Sequence, residues 1–232
     1  IILPVTGSTR TMQLEPIGIF HCHAKYAYDA ARQPVIAHPN SGTIHLRPGC
    51  NFEQAVQDLE GVERIWLIYL FHQNPHWKPL VRPPRATRKI GVFATRAPHR
   101  PNPIGLSCVA LREVSGLRIE VGAHDLLDGT PVLDIKPYVA YADSFPEAGC
   151  QWLDEVQAEP WAVSFSESAE GALAWLEAAG TLQIRAFLRQ QLSENPLDAS
   201  RKRVCRVGAS CWQMAYRTWR AVFRVEDASR SI

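Results

Sequence analysis

The chain has 232 residues, 46% of them hydrophobic and 21% charged, with a formal net charge of +2. That composition supports a packed core and excludes a disordered or low-complexity protein. No run approaches the roughly 18 uncharged apolar residues of a membrane span, and the opening IILPVTGSTRTM lacks a basic segment followed by an apolar run, so neither a span nor a secretory leader is expected and the location expected is cytoplasmic. Six scattered cysteines include no C-x-x-C pair, which argues for reduced thiols over a zinc site or a disulfide framework. His21 and His23 fall on one strand face, but no third ligand follows, so no metal is expected there.

In chain order, residues 13–149 carry the pattern of strands. LEPIGIFHCH opens the series, and GTIHL (42–46) is a short strand bounded by Gly42 and Pro48. FEQAVQDLEG (52–61) predicts the one helix of this region, with Ala55, Val56 and Leu59 at helical spacing and Gly61 at its end. RIWLIYLF (64–71) reads as a buried strand, and KIGVFAT, LSCVALREV and LRIEVGAHDL continue, separated by turns at Gly91, Ser115-Gly116 and Asp128-Gly129. Short strands at regular intervals predict a barrel or sandwich rather than alternating strand–helix units.

The character changes near residue 150. A short AVSF strand leads to helix signals, with Ser166 and Ser168 as candidate N-caps ahead of ALAWLEAAG and LQIRAFLRQQL. SENPLDASRKR is a polar loop, and CWQMAYRTWRAVFRV closes with strands. The fold expected is mainly β: an N-terminal β-barrel over 13–149 and a small α+β domain over 150–232.

Charge is distributed unevenly. Residues 64–112 hold none of the chain's 23 acids but nine cations: Arg64, Lys78, Arg82, Arg85, Arg88, Lys89, Arg96, Arg100 and Arg112. A solvated face mixes signs, and buried strands explain the lack of acids only over 65–71. A stripe of one sign interleaved with Trp66, Phe71, Trp77 and Phe93 suits a polyanion such as nucleic acid. Within it, FATRAPHRPNPIGLS (93–107) carries Arg96, His99 and Arg100 on a loop stiffened by Pro98, Pro101 and Pro103.

No G-x-G, P-loop or G-x-S-x-G occurs, so the ordinary nucleotide-binding turns and the serine-hydrolase elbow are excluded. Three constellations remain: ARQP (31–34); FHQ (71–73), which puts His72 and Gln73 at a strand mouth; and DLLDGTPVLDIKPY (125–138), with Asp125, Asp128 and Asp134. Two bland readings stand beside the last. Asp128-Gly129 is a favoured hairpin turn, and Asp134 can simply pair with Lys136. A metal-dependent hydrolase built on Asp125 and Asp128 ranks last, because those acids are interleaved with apolar residues.

Taken together, FATRAPHRPNPIGLS, PIG (16–18), RQP (32–34), FHQ, VRPPR (81–85) and DLLDGTPVLDIKPY resemble the TrmO family, in the same order and over nearly the whole chain. Members are tRNA adenosine-37 N6-methyltransferases that use S-adenosylmethionine. The resemblance implies a single-sheeted β-barrel, a homodimer, a small C-terminal domain, and threonylcarbamoyladenosine in the anticodon loop, of threonine tRNA for example, as substrate. It also implies that the cofactor lies against Arg32, Gln33, Pro34, His72, Gln73, Arg96, Leu106, His124, Asp125, Leu126 and Leu127. Arg82, Arg85, Arg88, Lys89 and Arg100 are the candidates for tRNA phosphate contact.

This sequence departs from the family's pattern at Ala31, where Pro is common, and at Ala97, where Ser is common. It departs further at Asn195–Ser200, which replaces a Pro-Arg-Pro…Tyr loop and leaves Arg201, Lys202 and Arg203 to serve there. The chemistry implied is in-line transfer of a methyl group to N6, with Asp125, Asp128 or His72 as the base, unranked. The alternative reading is a non-enzymatic S-adenosylmethionine sensor whose basic face docks RNA.

Overall fold

The structure is a computed structural model that describes residues 13–26, 41–83, 86, 88–155, 160–179, 184–193, 195–199, 202–226, 229 and 231–232. In chain order the elements are β1 (Gly18–His21), β2 (Gly42–Leu46), α1 (Phe52–Ala55), β3 (Arg64–Leu70), β4 (Leu80–Val81), β5 (Ile90–Gly91), β6 (Ile104–Ser115), β7 (Arg118–Val121) and β8 (Thr130–Pro137). They continue with α2 (Ala140–Asp143), α3 (Gln151–Asp154), α4 (Glu167–Ala178), α5 (Ile184–Ser193), β9 (Val204–Arg206), β10 (Cys211–Tyr216) and β11 (Trp219–Arg224).

Six of these strands close on themselves in the order β1-β2-β7-β6-β3-β8, every pair antiparallel. Closure leaves no unpaired strand edge. It also sorts every strand into inward and outward residues, because side chains alternate. Inward go Phe20, Ile44, Leu46, Ile65, Leu67, Tyr69, Val109, Ile119, Val121 and Val132, joined by Leu126 from the segment between β7 and β8. Each apolar side chain removed from water in this way contributes about 1.5–3 kcal/mol.

Glycines admit the largest inward rings. Gly42 lies under Phe20, where a Cβ would come 2.1 Å from the ring's Cζ. Gly105 lies directly opposite Tyr69 in the β3–β6 ladder, and a Cβ there would meet the Tyr69 ring at 2.3 Å. The space left by the missing Gly105 side chain is filled by the protein's own tyrosine.

Several predicted elements differ in extent. The helix expected over 52–61 stops at Ala55 and resumes as a single 3-10 turn at Leu59–Gly61, because Asp58 takes a left-handed conformation (φ 63°) between them. KIGVFAT is a two-residue strand followed by a 3-10 turn at Val92–Ala94. AVSF contributes one isolated bridge, Ala162 to Ser231, rather than a strand. Ser166 does cap α4, its Oγ accepting from Ala169 N at 3.3 Å.

Packing divides the described residues into two compact units, one from Ile1–Pro79 with Arg96–Ser144 and the other from Leu80–Thr95 with Phe145–Ile232. This differs from a linear split at 149/150: β4, β5 and the cations Arg82, Arg88 and Lys89 group with the C-terminal residues. The second unit has its own core, in which Leu173, Leu176, Ile184, Leu188 and Leu192 of α4 and α5 cover Val204, Met214, Tyr216 and Phe223 of the β11-β10-β9 sheet. Among the described residues no helix is long and apolar enough to cross a membrane.

Replacing Gly42 with Ala puts a methyl where the Phe20 ring lies. We expect it to lower the unfolding free energy by about 1–3 kcal/mol, read as an earlier urea midpoint with an unchanged m-value.

Candidate active site

Two segments from the sequence constellations are stitched together at one end of the barrel. The turn after β3 donates Phe71 N to Pro103 O at 2.7 Å, and further on Lys78 N donates to His99 O at 3.1 Å. The proline-rich loop itself bends through two tight turns, Arg100 N to Pro98 O at 2.8 Å and Ile104 N to Asn102 O at 2.7 Å. Prolines have fixed part of this backbone already, so little ordering remains to be done when a ligand arrives. His72 and Gln73 sit exposed on the turn, with Gln73 Nε2 donating to Lys25 O at 3.4 Å.

Beneath this rim a polar chain lies among the apolar residues of the barrel interior. Ser107, on the inward face of β6, donates its Oγ hydrogen to Asp125 Oδ1 at 2.6 Å. Tyr69 OH lies 3.1 Å from the same Oγ. Both hydroxyl residues are buried, while Asp125 keeps partial exposure. Burial pushes the Asp125 carboxyl up to about 6, against the Ser107 hydrogen bond and the Arg96 charge, which both draw it down. Burial, with the Asp125 charge adding to it, also raises the Tyr69 phenol well above its usual range, so Tyr69 stays protonated.

The other candidates in this segment have different surroundings. His124 is buried with its ring edge-on to Phe20 at 4.7 Å and Nε2 3.4 Å from Ser41 O. Burial lowers its pKa to about 4, so it is neutral near pH 7. Asp128 is held by β1: its Oδ1 accepts from Cys22 N at 3.1 Å and lies 3.4 Å from His21 Nδ1. Gly129 follows with φ 76°, so the Asp-Gly pair makes the turn into β8. Leu126 is buried in the core, and the Leu127 carbonyl accepts from Thr130 N at 3.3 Å and Thr130 Oγ1 at 2.7 Å. Asp134 pairs with Lys136 at 3.1 Å on the outer face of the barrel.

The structure therefore brings Asp125 and Arg96 together and knits the His72–Gln73 turn to the proline-rich loop. It does not bring Leu106 to them. Leu106 precedes Ser107 on β6 and points outward, 50% exposed, while Ser107 points in. Arg32, Gln33, Pro34 and Arg85 lie outside the described residues. Of the remaining phosphate-contact candidates, Arg100 belongs to the barrel unit, and Arg82, Arg88 and Lys89 belong to the second unit. There Arg82 Nε donates to Ala86 O at 3.1 Å, and Arg88 lies 3.6 Å from Glu155.

Comparison with known proteins agrees with this architecture. The family model described as the tRNA-methyltransferase O N-terminal domain matches residues 19–144. The chain belongs to the TrmO family. An Escherichia coli K12 protein named tRNA (adenine(37)-N6)-methyltransferase is 39% identical over 200 residues, covering 83% of this chain and 85% of that one. A Pseudomonas aeruginosa protein named putative S-adenosylmethionine-dependent methyltransferase RcsF is 48% identical over 139 residues, 58% of each chain. A crystal structure of TrmO from Pseudomonas aeruginosa superposes with a TM-score of 0.64 at 34% identity, covering 90% of this chain and 94% of that one.

Sequence reasoning about this TrmO-family chain missed Tyr69 and Ser107. Each looks like an ordinary strand residue in RIWLIYLF and PIGLS. Only the ladder, which sets Tyr69 against Gly105 and Ser107 against Leu67, puts both hydroxyls on the inward face. The available signal was a polar residue at an inward position of a β-alternating run.

The raised Asp125 carboxyl has a measurable consequence for stability. Its protonated form favours the fold, so that contribution is fully present below pH 3.8, the ordinary value, and is lost as pH rises through about 6. Asp125→Asn removes the ionisation penalty. Its stability relative to the parent should therefore rise between pH 4 and pH 7, by up to about 2 kcal/mol, in urea unfolding at the two pH values. His124 titrates in both proteins and drops out of the comparison.

Proposed function

We propose that this protein transfers a methyl group from S-adenosylmethionine to N6 of adenine 37 in tRNA, and that its substrate is the threonylcarbamoylated form of that adenosine. Family membership makes the chain an S-adenosylmethionine-dependent tRNA methyltransferase. The choice of base in this reading rests above all on one observation: a carboxyl group that burial pushes up to about 6, hydrogen-bonded by a buried hydroxyl, at the rim of the barrel beside a cationic loop.

A base works best when its pKa lies near the working pH. Asp125 meets that condition and keeps partial exposure. Asp128 has its carboxylate engaged with Cys22 N and His21. His72 stands on the exposed turn rather than against the buried polar chain. Asp125 is therefore the base in this proposal. The threonylcarbamoyl group favours it further, since that group withdraws electrons from N6 and acidifies its proton.

The residues of the rim fit S-adenosylmethionine in charge. Arg96 offers a guanidinium to a carboxylate, and the polar turn at His72 and Gln73 can meet a ribose or an ammonium group. When bound, S-adenosylmethionine supplies an electrophilic methyl carbon on a sulfonium. What the chain contributes is orientation of the nucleobase, exclusion of water by the closed barrel beneath, and a place for the N6 proton on Asp125. Arg100, Arg82, Arg88 and Lys89 are proposed phosphate contacts. Arg88, already beside Glu155, should contribute least.

A homodimer belongs to the same proposal, supported by the outer face of β3 and β6. There Ile68 pairs with Leu106 and Leu70 with Ile104, giving four apolar side chains on adjacent outward positions. Leu106 and Ile104 are 50% and 37% exposed. A contiguous apolar sheet face of this kind suits a second copy of the same chain. Leu106→Asp should shift the mass in solution, by light scattering, from twice the chain mass to one; a dimer that survives the substitution places the interface elsewhere.

The activity itself is tested by incubating tRNA with and without the threonylcarbamoyl modification with S-adenosylmethionine, then weighing the digested nucleosides. We expect the mass of one methyl to appear only on the modified nucleoside. Methylation of both tRNAs would overturn the substrate assignment, and cofactor binding with no methyl gain on either would favour the sensor reading.

A further inference from the structure

We propose that Tyr69 and Ser107 are positioning residues for methyl transfer, forming a buried hydroxyl chain that fixes one oxygen of Asp125 so that the other is always aimed at the incoming N6. The inference rests on Asp125 being the base.

The geometry is that of a directed chain. A serine hydroxyl has one hydrogen to give, and Ser107 gives it to Asp125 Oδ1 at 2.6 Å. At 3.1 Å the Tyr69 hydroxyl must then be the donor to Ser107 Oγ. Tyr69 is 4% exposed and Ser107 1% exposed, so water does not compete for either. Each hydrogen bond polarises the next, and in a dry interior such a chain holds more firmly than its separate links. Tyr69 thus stops the Ser107 rotor from turning, and Ser107 stops the carboxylate from turning. Oδ1 is occupied by Ser107, and in this proposal Oδ2 receives the proton.

The arrangement survives the reaction. As the N6 lone pair forms the new N–C bond, the C–S bonding pair stays with sulfur and the N6 proton passes to Asp125 Oδ2. Oδ1 is then the carbonyl oxygen of a carboxylic acid and still accepts from Ser107, more weakly than a carboxylate does. Among the described residues the charged and titratable groups around Asp125 are few. Tyr69 from β3 remains neutral, Arg96 from the loop before β6 is the cation, His124 beside it in the chain is neutral, and Asp128 is engaged with His21.

Core packing alone does not require these hydroxyls. Phenylalanine would fill the space over Gly105, which the Tyr69 ring occupies, and alanine would fit where Ser107 lies. Two matched polar groups in the barrel interior, ending on a carboxylate at its rim, point to a role beyond filling.

The test is the pH profile of single-turnover methylation of threonylcarbamoylated tRNA at saturating S-adenosylmethionine. In the parent we expect an acid limb near pH 6. Ser107→Ala removes the donor that favours the carboxylate, so the limb should move up by about one pH unit and the plateau rate should fall about tenfold or more, with tRNA affinity unchanged. Tyr69→Phe, which removes a single oxygen, should shift the limb in the same direction by less, and Ser107→Thr should restore the parent profile.

If Ser107→Ala does not fold, Tyr69→Phe carries the same test. Parent-like limbs and plateaus in folded Ser107→Ala or Tyr69→Phe would overturn the positioning role while leaving Asp125 as the base. Full activity in Asp125→Asn would overturn the base itself, and the chain of hydroxyls with it.

Discussion

A carboxylate at the mouth of a closed barrel has little room to disperse its charge, and the chemistry proposed for this molecule depends on how that cost is met at Asp125. Burial alone favours the neutral acid. One short hydrogen bond from Ser107 and the field of Arg96 bring the group part of the way back, and the balance leaves its pKa at about 6. A carboxyl so poised takes and releases protons near neutrality, whereas an exposed aspartate stays ionised. The six-stranded closure sustains this balance, because a sheet with an open edge would let water reach Ser107 from the side.

The two conspicuous acids of the DLLDGTP segment illustrate how environment divides roles. Asp125 and Asp128 are three residues apart and chemically the same. Asp128 meets the backbone N–H of Cys22 and the ring of His21, so it serves the turn that joins the 122–129 segment to β1. Asp125 accepts from the Ser107 hydroxyl, feels the Arg96 charge and lies against the barrel interior. The cationic stripe divides likewise. Arg96 acts on Asp125, whereas Arg88 lies beside Glu155, an acid from far outside the stripe. A one-signed run in the sequence therefore does not translate into a one-signed surface.

The glycines show why packing and chemistry share residues. Gly105 has no side chain, so the Tyr69 ring can lie across β6, and its hydroxyl then falls beside Ser107 two residues on. The same device at Gly42 seats Phe20, whose ring packs at a steep angle against His124. Rings placed over glycines stiffen the strands that carry the polar groups. That rigidity is what a site needs when it acts by orientation more than by bond-making of its own.

The sequence by itself determined the class of the fold, most of the strand segments along the chain and the family. Alternating apolar residues, turn glycines and the proline-braced loop are local signals, and each is readable within about ten residues. It also offered Asp125, Arg96 and the FHQ turn as site candidates, because unusual residues in stiff loops stand out. It could not divide Asp125 from Asp128, find Tyr69 and Ser107, or send Leu106 to the outer face, nor assign 80–95 to the second unit. Those depend on which strands pair and in what register. The β3–β6 ladder joins residues about forty positions apart in the chain, and local pattern carries no record of such a pairing. Tertiary structure decided them because burial, which sets both the direction of a side chain and the pKa of a carboxyl, is a property of the closed barrel and of no single segment.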